Sequence, residues 1–401
     1  MMVAVTGIGV IAPHGDDPDR MFDALMRGES AVREVLPELA RPAAAATVAF
    51  DESRWFTRLQ LPGVDRVSQL AVAAASLAIR DAGGVDAAPQ RVGVYAGCGM
   101  GGATALEAAY AASGRGRRMP PLTVPAFMPN APAAHVAMRH GVHGPVLTYS
   151  VACASSAVAI AEGARAVRRG DVEVAIVGGA EALIVPGVVS AWQALQTLAS
   201  FEPGHAASAC KPFATDRSGF VLGEGAAFMV LESRERAQRR GVRVHAQLAG
   251  SGLGCDATHL TTPDAAGQRR ALIAALADAG LAPHEVGYCN AHGTATAIGD
   301  PVECDALRAV WGDAGMGLRV SSTKALHGHL LGAAGALEAV VTVLALRRQQ
   351  LPPNAHCESP DPQCGVQLVL QGCDCTEPLE AAISSSFAFG GTNAVLVFRR
   401  A

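Results

Sequence analysis

The chain has 401 residues, 50% of them hydrophobic, 17% charged and 4% aromatic, with a formal net charge of −4. This composition is that of a folded globular protein and excludes disorder, collagen-like repeats and coiled coil. The slight acidity removes a global basic field for nucleic acid, and no apolar run approaches the roughly 18–20 residues of a membrane span.

Val3–Thr6 is the first predicted strand; the apolar stretch around it lacks the basic leader and cleavage signal of a signal peptide. Gly7-Ile8-Gly9-Val10-Ile11-Ala12 matches a dinucleotide fingerprint, but Pro13-His14-Gly15-Asp16-Asp17-Pro18 follows at once. No helix can begin there to meet a pyrophosphate, so no nicotinamide site is implied. A helix is predicted at Arg66–Ala82 and a strand at Val92–Ala96. Behind that strand, the glycines of Gly97-Cys98-Gly99-Met100-Gly101-Gly102 are read as allowing a ligand or another chain to approach the backbone closely. Pro120–Pro132 is the most loop-like stretch.

Val146–Val151 is the next strand. After it, Ser150-Val151-Ala152-Cys153-Ala154-Ser155-Ser156-Ala157 sets a cysteine where the strand gives way to a small-residue helix, Ser155–Arg169. A helix N-terminus favours thiolate over thiol, and small residues let the helix be buried, so Cys153 is a candidate nucleophile. The bland alternative is a buried structural cysteine.

Strands at Val174–Val177 and Ala227–Leu231 precede a helix at Gln268–Ala279. Asn290-Ala291-His292-Gly293-Thr294-Ala295-Thr296, closing with Gly299-Asp300, then places a histidine just past a strand end. Arg319–Ser322 is a strand leading through Lys324, His327 and His329 to a helix at Gly332–Arg348. Lys211 and Lys324 are the only lysines among 32 cationic residues, which marks positions where a guanidinium would not serve. Around the strand Gln367–Leu370, the group His356, Cys357, Cys364, Cys373 and Cys375 lacks the spacing of zinc pairs, and no metal is implied. Ser384-Ser385-Ser386-Phe387-Ala388-Phe389-Gly390-Gly391-Thr392-Asn393 joins two strands, the second at Val395–Phe398, through a glycine turn whose N–H groups are candidates for an oxyanion hole.

Alternating strands and helices predict an α/β protein with layered sheets. The Val146–Arg169 and Leu318–Arg348 segments share one plan, strand to junction to small-residue helix, which predicts two related halves meeting near residue 245. Such a duplication would bring both junctions to one crevice. A thiol, two imidazoles and a rare lysine at strand ends point to covalent acyl chemistry, with the imidazoles stabilising charge on a carbonyl oxygen. The scattered cysteines form no secreted disulfide framework, so a reduced, cytoplasmic protein is expected.

The cysteine junction, the AHGTxTxxGD loop, the KxxxGHxxGAAG segment and the FxFGGTN tail together resemble elongating β-ketoacyl-acyl-carrier-protein synthases over essentially the whole chain. The resemblance implies a thiolase-like fold, two related halves in a layered αβαβα arrangement: 1–245 with the nucleophilic cysteine, 246–401 with the histidine pair and lysine. It implies catalytic roles for Cys153, His292, His329 and Lys324, and an oxyanion hole and gate at Cys153 and Phe389. It further implies an acyl pocket narrowed by Met100 across a subunit interface and a structural acid at Glu303. The implied reaction is decarboxylating condensation of a Cys-bound acyl chain with malonyl-acyl carrier protein, without cofactor. The implied partners are acyl carrier protein and a second subunit, as a homodimer or a heterodimer with a related ketosynthase-like chain.

The sequence departs from the family at His327, Ser385 and Ala388, where threonine, asparagine and glycine are common, and at Ser218, where an acid is common. Basic residues for a carrier protein are sparse: Arg58 and Arg66, or Arg115, Arg117 and Arg118. The resemblance therefore leaves an alternative: a specialised ketosynthase of a type II polyketide or polyene pathway, working with a chain-length partner. Starter-type relatives carry asparagine in place of His329, and non-catalytic subunits lack Cys153, so both are set aside.

Overall fold

The computed structural model describes residues 2–312 and 317–401. Its main sheet has eleven strands: β1 Val3–Ile11, β2 Val92–Gly97, β3 Val146–Tyr149, β4 Val174–Glu181, β5 Gly225–Ser233, β6 Ala246–Cys255, β7 Tyr288–Asn290, β8 Arg319–Ser321, β9 Gln367–Leu368, β10 Ala381–Phe387 and β11 Thr392–Arg399. In space they run β9-β8-β7-β10-β11-β6-β1-β5-β4-β2-β3.

That order contains a repeat. From its outer edge the first half reads β3-β2-β4-β5-β1, with two parallel pairings and then two antiparallel ones. The second reads β8-β7-β10-β11-β6 with the same sequence of orientations, and β9 is added outside β8. The halves meet where β1 and β6 pair antiparallel through Val3↔Leu248, Ala4↔Gln247 and Val5↔Ala246.

Helices complete the layers. Ser155–Arg169 and Ala334–Arg348 lie in the middle, touching each other and sheet strands of both halves. Their alanines and glycines are what allow this: a Cβ at Gly335 would stand 2.8 Å from that of Ala157. Outside, Arg66–Asp81 and Ala131–His140 cover the first half, while Ala265–Ala279 and, packed beside it, Gly299–Trp311 cover the second. The result is the αβαβα order of a thiolase-like fold.

The decoy glycines of β1 serve this packing. A Cβ at Gly7 would lie 2.1 Å from the Ala78 carbonyl and one at Gly9 2.2 Å from that of Ala74, so the Arg66–Asp81 helix rests directly on the strand. Gly250 and Gly252 of β6 do the same under Ala265–Ala279, where a Cβ at Gly252 would come within 2.0 Å of the Ala271 carbonyl. This explains why β6 was not among the predicted strands: its Gly-Ser-Gly composition reads as a turn, while its glycines accommodate a helix. The predicted Gly332–Arg348 helix opens as a 3-10 turn at Leu331–Ala333, and the loop-like Pro120–Pro132 holds a short helix, Thr123–Phe127. Among the described residues no helix is long and apolar enough to cross a membrane.

Candidate active site

The nucleophile candidate stands just beyond β3. Ala152 takes a left-handed φ of 49°, a conformation that costs a non-glycine residue about 1–3 kcal/mol and persists only where neighbours hold it. They do: the Ser155 hydroxyl donates to the Ala152 carbonyl at 2.6 Å and accepts from the Val151 N–H at 2.9 Å. This sharp turn aims the Cys153 thiol into a cavity of about 360 Å³, whose walls include Trp192, Phe220, Thr294, Leu331 and Phe389.

From the other half, β7 ends at Asn290 and delivers His292. The Glu303 carboxylate, on the Gly299–Trp311 helix, accepts the backbone N–H of His292 and that of Gly293, each at 2.7 Å. His329 follows β8 and the short helix Lys324–His327, and its own backbone pairs with Val221 and Gly223. The Leu331 N–H donates to His329 Nδ1 at 3.3 Å, so the ring hydrogen sits on Nε2, which lies 3.1 Å from Cys153 Sγ. The rings of His292 and His329 are 5.5 Å apart at 82°, and ligand atoms of Cys153, His292 and His329 all lie within 4.8 Å of one another.

Lys324 sits behind this cluster, fully buried and paired with Glu338 at 2.6 Å. Burial, and then the Lys324 charge, hold both imidazoles well below their ordinary range, so they are neutral at pH 7 and each keeps one N–H to donate. Burial pushes the Cys153 thiol up to about 12, against the Lys324 charge and a hydrogen bond from the Phe389 backbone N–H. The expected thiolate is thus opposed by desolvation, and the buried sulfur keeps its proton at pH 7. Glu303 and Glu338 are each raised to about 7 by burial.

The donor set Cys153, His292 and His329 is of a kind zinc accepts. The buried Lys324 ammonium makes the site a poor host for a second cation, and its N–H donors suit a developing anion.

Two further residues named from the sequence lie outside this cavity. Met100 is 52% exposed and does not line the cavity of its own chain. Arg66 is engaged internally, donating to both oxygens of Glu224 at 3.0 and 2.7 Å and to the Val48 carbonyl, and so is withdrawn from the sparse basic patch.

Sequence reasoning missed Trp192, whose ring lies 5.4 Å from Phe220 and 6.2 Å from Phe389; Phe220 in turn meets His329 edge-on at 5.4 Å. It also missed Glu338, although a lone acid inside Ala-Gly-Ala-Leu-Glu-Ala-Val-Val was a usable signal: a charge on an all-apolar helix requires a buried partner.

Known proteins share this architecture. Residues 1–237 match the family described as "Beta-ketoacyl synthase, N-terminal domain", and residues 245–358 match "Beta-ketoacyl synthase, C-terminal domain". The chain is 39% identical over 406 residues to "Nodulation protein E" of Rhizobium sp. (strain N33), covering 99% of each. It is 36% identical over 411 residues to "3-oxoacyl-[acyl-carrier-protein] synthase 2" of Staphylococcus aureus (strain N315), covering 99% of this chain and 98% of that one. A solved structure titled "The ishigamide ketosynthase/chain length factor" superposes with a TM-score of 0.92 at 30% identity, over 100% of this chain and 99% of the other. With its strand-end cysteine facing two neutral histidines across a duplicated fold, the chain belongs to the β-ketoacyl synthase family.

Proposed function

We propose that the protein catalyses a decarboxylating Claisen condensation between an acyl chain held on Cys153 and malonyl-acyl carrier protein in fatty acid synthesis. The Cys153 sulfur attacks the thioester of an acyl carrier protein, loses its proton to the departing carrier thiol, and keeps the acyl group as a thioester. The malonyl thioester then loses carbon dioxide, and its enolate oxygen is held by N–H groups of neutral His292 and His329. The enolate carbon attacks the Cys153 thioester, a carbon–carbon bond forms, the carbon–sulfur bond breaks with its electron pair going to Cys153, the thiolate takes a proton from solvent, and a 3-oxoacyl carrier protein two carbons longer leaves. The carbanion comes from decarboxylation, so the cycle calls for no redox cofactor.

In this reading the backbone N–H groups of Cys153 and Phe389 form the oxyanion hole, and Phe389 gates the thiol. Lys324 keeps both imidazoles neutral, Glu303 positions His292, and Met100 closes the acyl pocket of a second subunit, in a homodimer or with a related chain. Residues 1–245 supply the nucleophile and 246–401 the histidine pair and lysine. The free state of all ten cysteines fits a reducing cytoplasm. The observation that carries the proposal is the 3.1 Å contact of Cys153 Sγ with a His329 Nε2 that bears the ring hydrogen.

A specialised polyketide or polyene pathway uses the same steps. The rings of Trp192 and Phe220 on the cavity wall are where a preference for chain length would be set. Intact-mass spectrometry of the protein with acyl carrier proteins loaded with about two to sixteen carbons tests both. Adducts on Cys153 across saturated chains support fatty acid synthesis. Adducts only with short or unsaturated chains, or only with a second subunit present, support the specialised pathway, and no adduct at all overturns the nucleophile.

A further inference from the structure

Glu181 closes β4 and is completely buried, and among the described residues no cation pairs with it. Its carboxylate instead collects backbone N–H groups from two distant segments. Gly99 donates to Oε2 at 2.7 Å and Met100 to Oε1 at 3.4 Å, both just beyond β2; Gly332 donates to Oε2 at 3.0 Å from the turn after His329. Both glycines are required by this arrangement, since a Cβ at Gly99 would lie 2.6 Å from Oε2 and one at Gly332 2.4 Å from it.

The arrangement repeats that of Glu303. There a buried carboxylate grips two successive N–H groups past β7 and so fixes His292; here one grips two successive N–H groups past β2, the strand equivalent to β7. Glu181 adds a third donor, and that donor leads into the reaction centre. Gly332 follows Leu331, whose φ of 47° is left-handed and whose N–H donates to His329 Nδ1. The bond to Nδ1 places the ring hydrogen on the Nε2 that faces Cys153. Releasing Gly332 frees Leu331 to leave its strained turn, and the constraint on the ring goes with it.

We propose that Glu181 is a positioning residue for His329: its carboxylate ties the Gly99–Met100 loop to the Leu331–Gly332 turn, and through the Leu331 N–H it fixes the imidazole tautomer that faces Cys153. This rests on the reading of His329 as a donor to the enolate. Glutamine is nearly isosteric; its single oxygen, placed at the Oε2 position, still receives Gly99 and Gly332 but as a neutral and weaker acceptor, and its NH2 turns toward the Met100 N–H, so Glu181→Gln loosens all three bonds.

The test compares wild type, Glu181→Gln and Glu181→Ala, with ¹⁵N NMR of histidine-labelled protein and the malonyl-carrier decarboxylation rate; His329→Asn identifies the ring signals. In wild type His329 is expected as the Nε2–H tautomer, and in Glu181→Gln as a mixture. The expected fall in kcat is about tenfold, the worth of one net hydrogen bond, with KM for the carrier protein unchanged. In Glu181→Ala, added formate restores rate and tautomer together by occupying the vacated carboxylate position. A variant that melts lower but keeps the wild-type tautomer and kcat overturns the proposal, as does formate that restores melting temperature alone. If Glu181→Ala does not fold, Glu181→Gln decides. An inactive wild type would overturn the assigned reaction, and the NMR comparison would still decide the role of Glu181.

Discussion

The two strand-to-helix junctions of this molecule have the same backbone and opposite fates. In the first, Ala152 at φ 49° precedes Cys153, Ala154 caps the helix at φ −91°, and a helix of 15 residues follows. In the second, Leu331 at φ 47° precedes Gly332, Ala333 caps at φ −91°, and again 15 helical residues follow. The position of Cys153 is held in the second half by Gly332. Its N–H, the counterpart of one proposed oxyanion donor, is already bonded to Glu181. One turn faces a cavity and the other is filled by the protein's own carboxylate. Duplication therefore supplied two similar anion-holding turns, and burial of a single acid separates the one that can receive substrate from the one that is structure.

The most severe way to break this asymmetry is Cys153→Ala, expected to abolish acyl adducts by intact mass and to lower condensation at least about 10³-fold. His329→Ala is expected to leave Cys153 open to acylation while slowing malonyl decarboxylation about 10²–10³-fold, the effect of removing an oxyanion donor; carbon dioxide release measured against adduct formation separates the two steps. Gly332→Cys restores a thiol to the silent junction. It is expected to give no second adduct and to cost about 1–3 kcal/mol in urea unfolding, because the new Cβ meets Glu181 and the Gly99 nitrogen, each at 2.4 Å.

Glu303→Gln probes the open side through pH. Glu303 rises from 4.5 to about 7 on folding, so its contribution is full below 4.5 and is lost as pH climbs through about 7. The unfolding free energy of wild type relative to the variant is expected to fall across that window, and a constant difference would show that Glu303 is not raised. The smallest effect is expected from Trp192→Ala, a few-fold gain for longer acyl chains relative to short ones, read from competing carrier proteins; an unchanged profile would remove the ring from the acyl wall.

Much of the site was legible because its residues follow strand ends, where a single side chain can be aimed at a shared cavity. Cys153, His292 and His329 are gathered within 4.8 Å from three such ends. Lys324 stood out through rarity, and its fully buried partner Glu338 could have been sought on the nearest apolar helix. Glu181 left no such trace, since Gly-Gly-Ala-Glu reads as a strand running into a solvated acid. Its burial depends on N–H groups brought from positions 99, 100 and 332, and that convergence exists only in the folded chain. Strand β6 was hidden for a related reason: the glycines that weaken its propensity are the ones a helix needs beneath it.

The paired middle helices, Ser155–Arg169 and Ala334–Arg348, have a consequence for how the molecule comes apart. Each is buried along nearly its whole length, partly by the other, and the sheets of the two halves otherwise join through three residue pairs. Neither half can melt without stripping an apolar helical face from its neighbour, so a chain that repeats its topology is expected to show one cooperative heat-absorption peak in calorimetry. Because Cys153 comes from one half and the imidazoles from the other, activity and folded structure are expected to vanish at the same temperature.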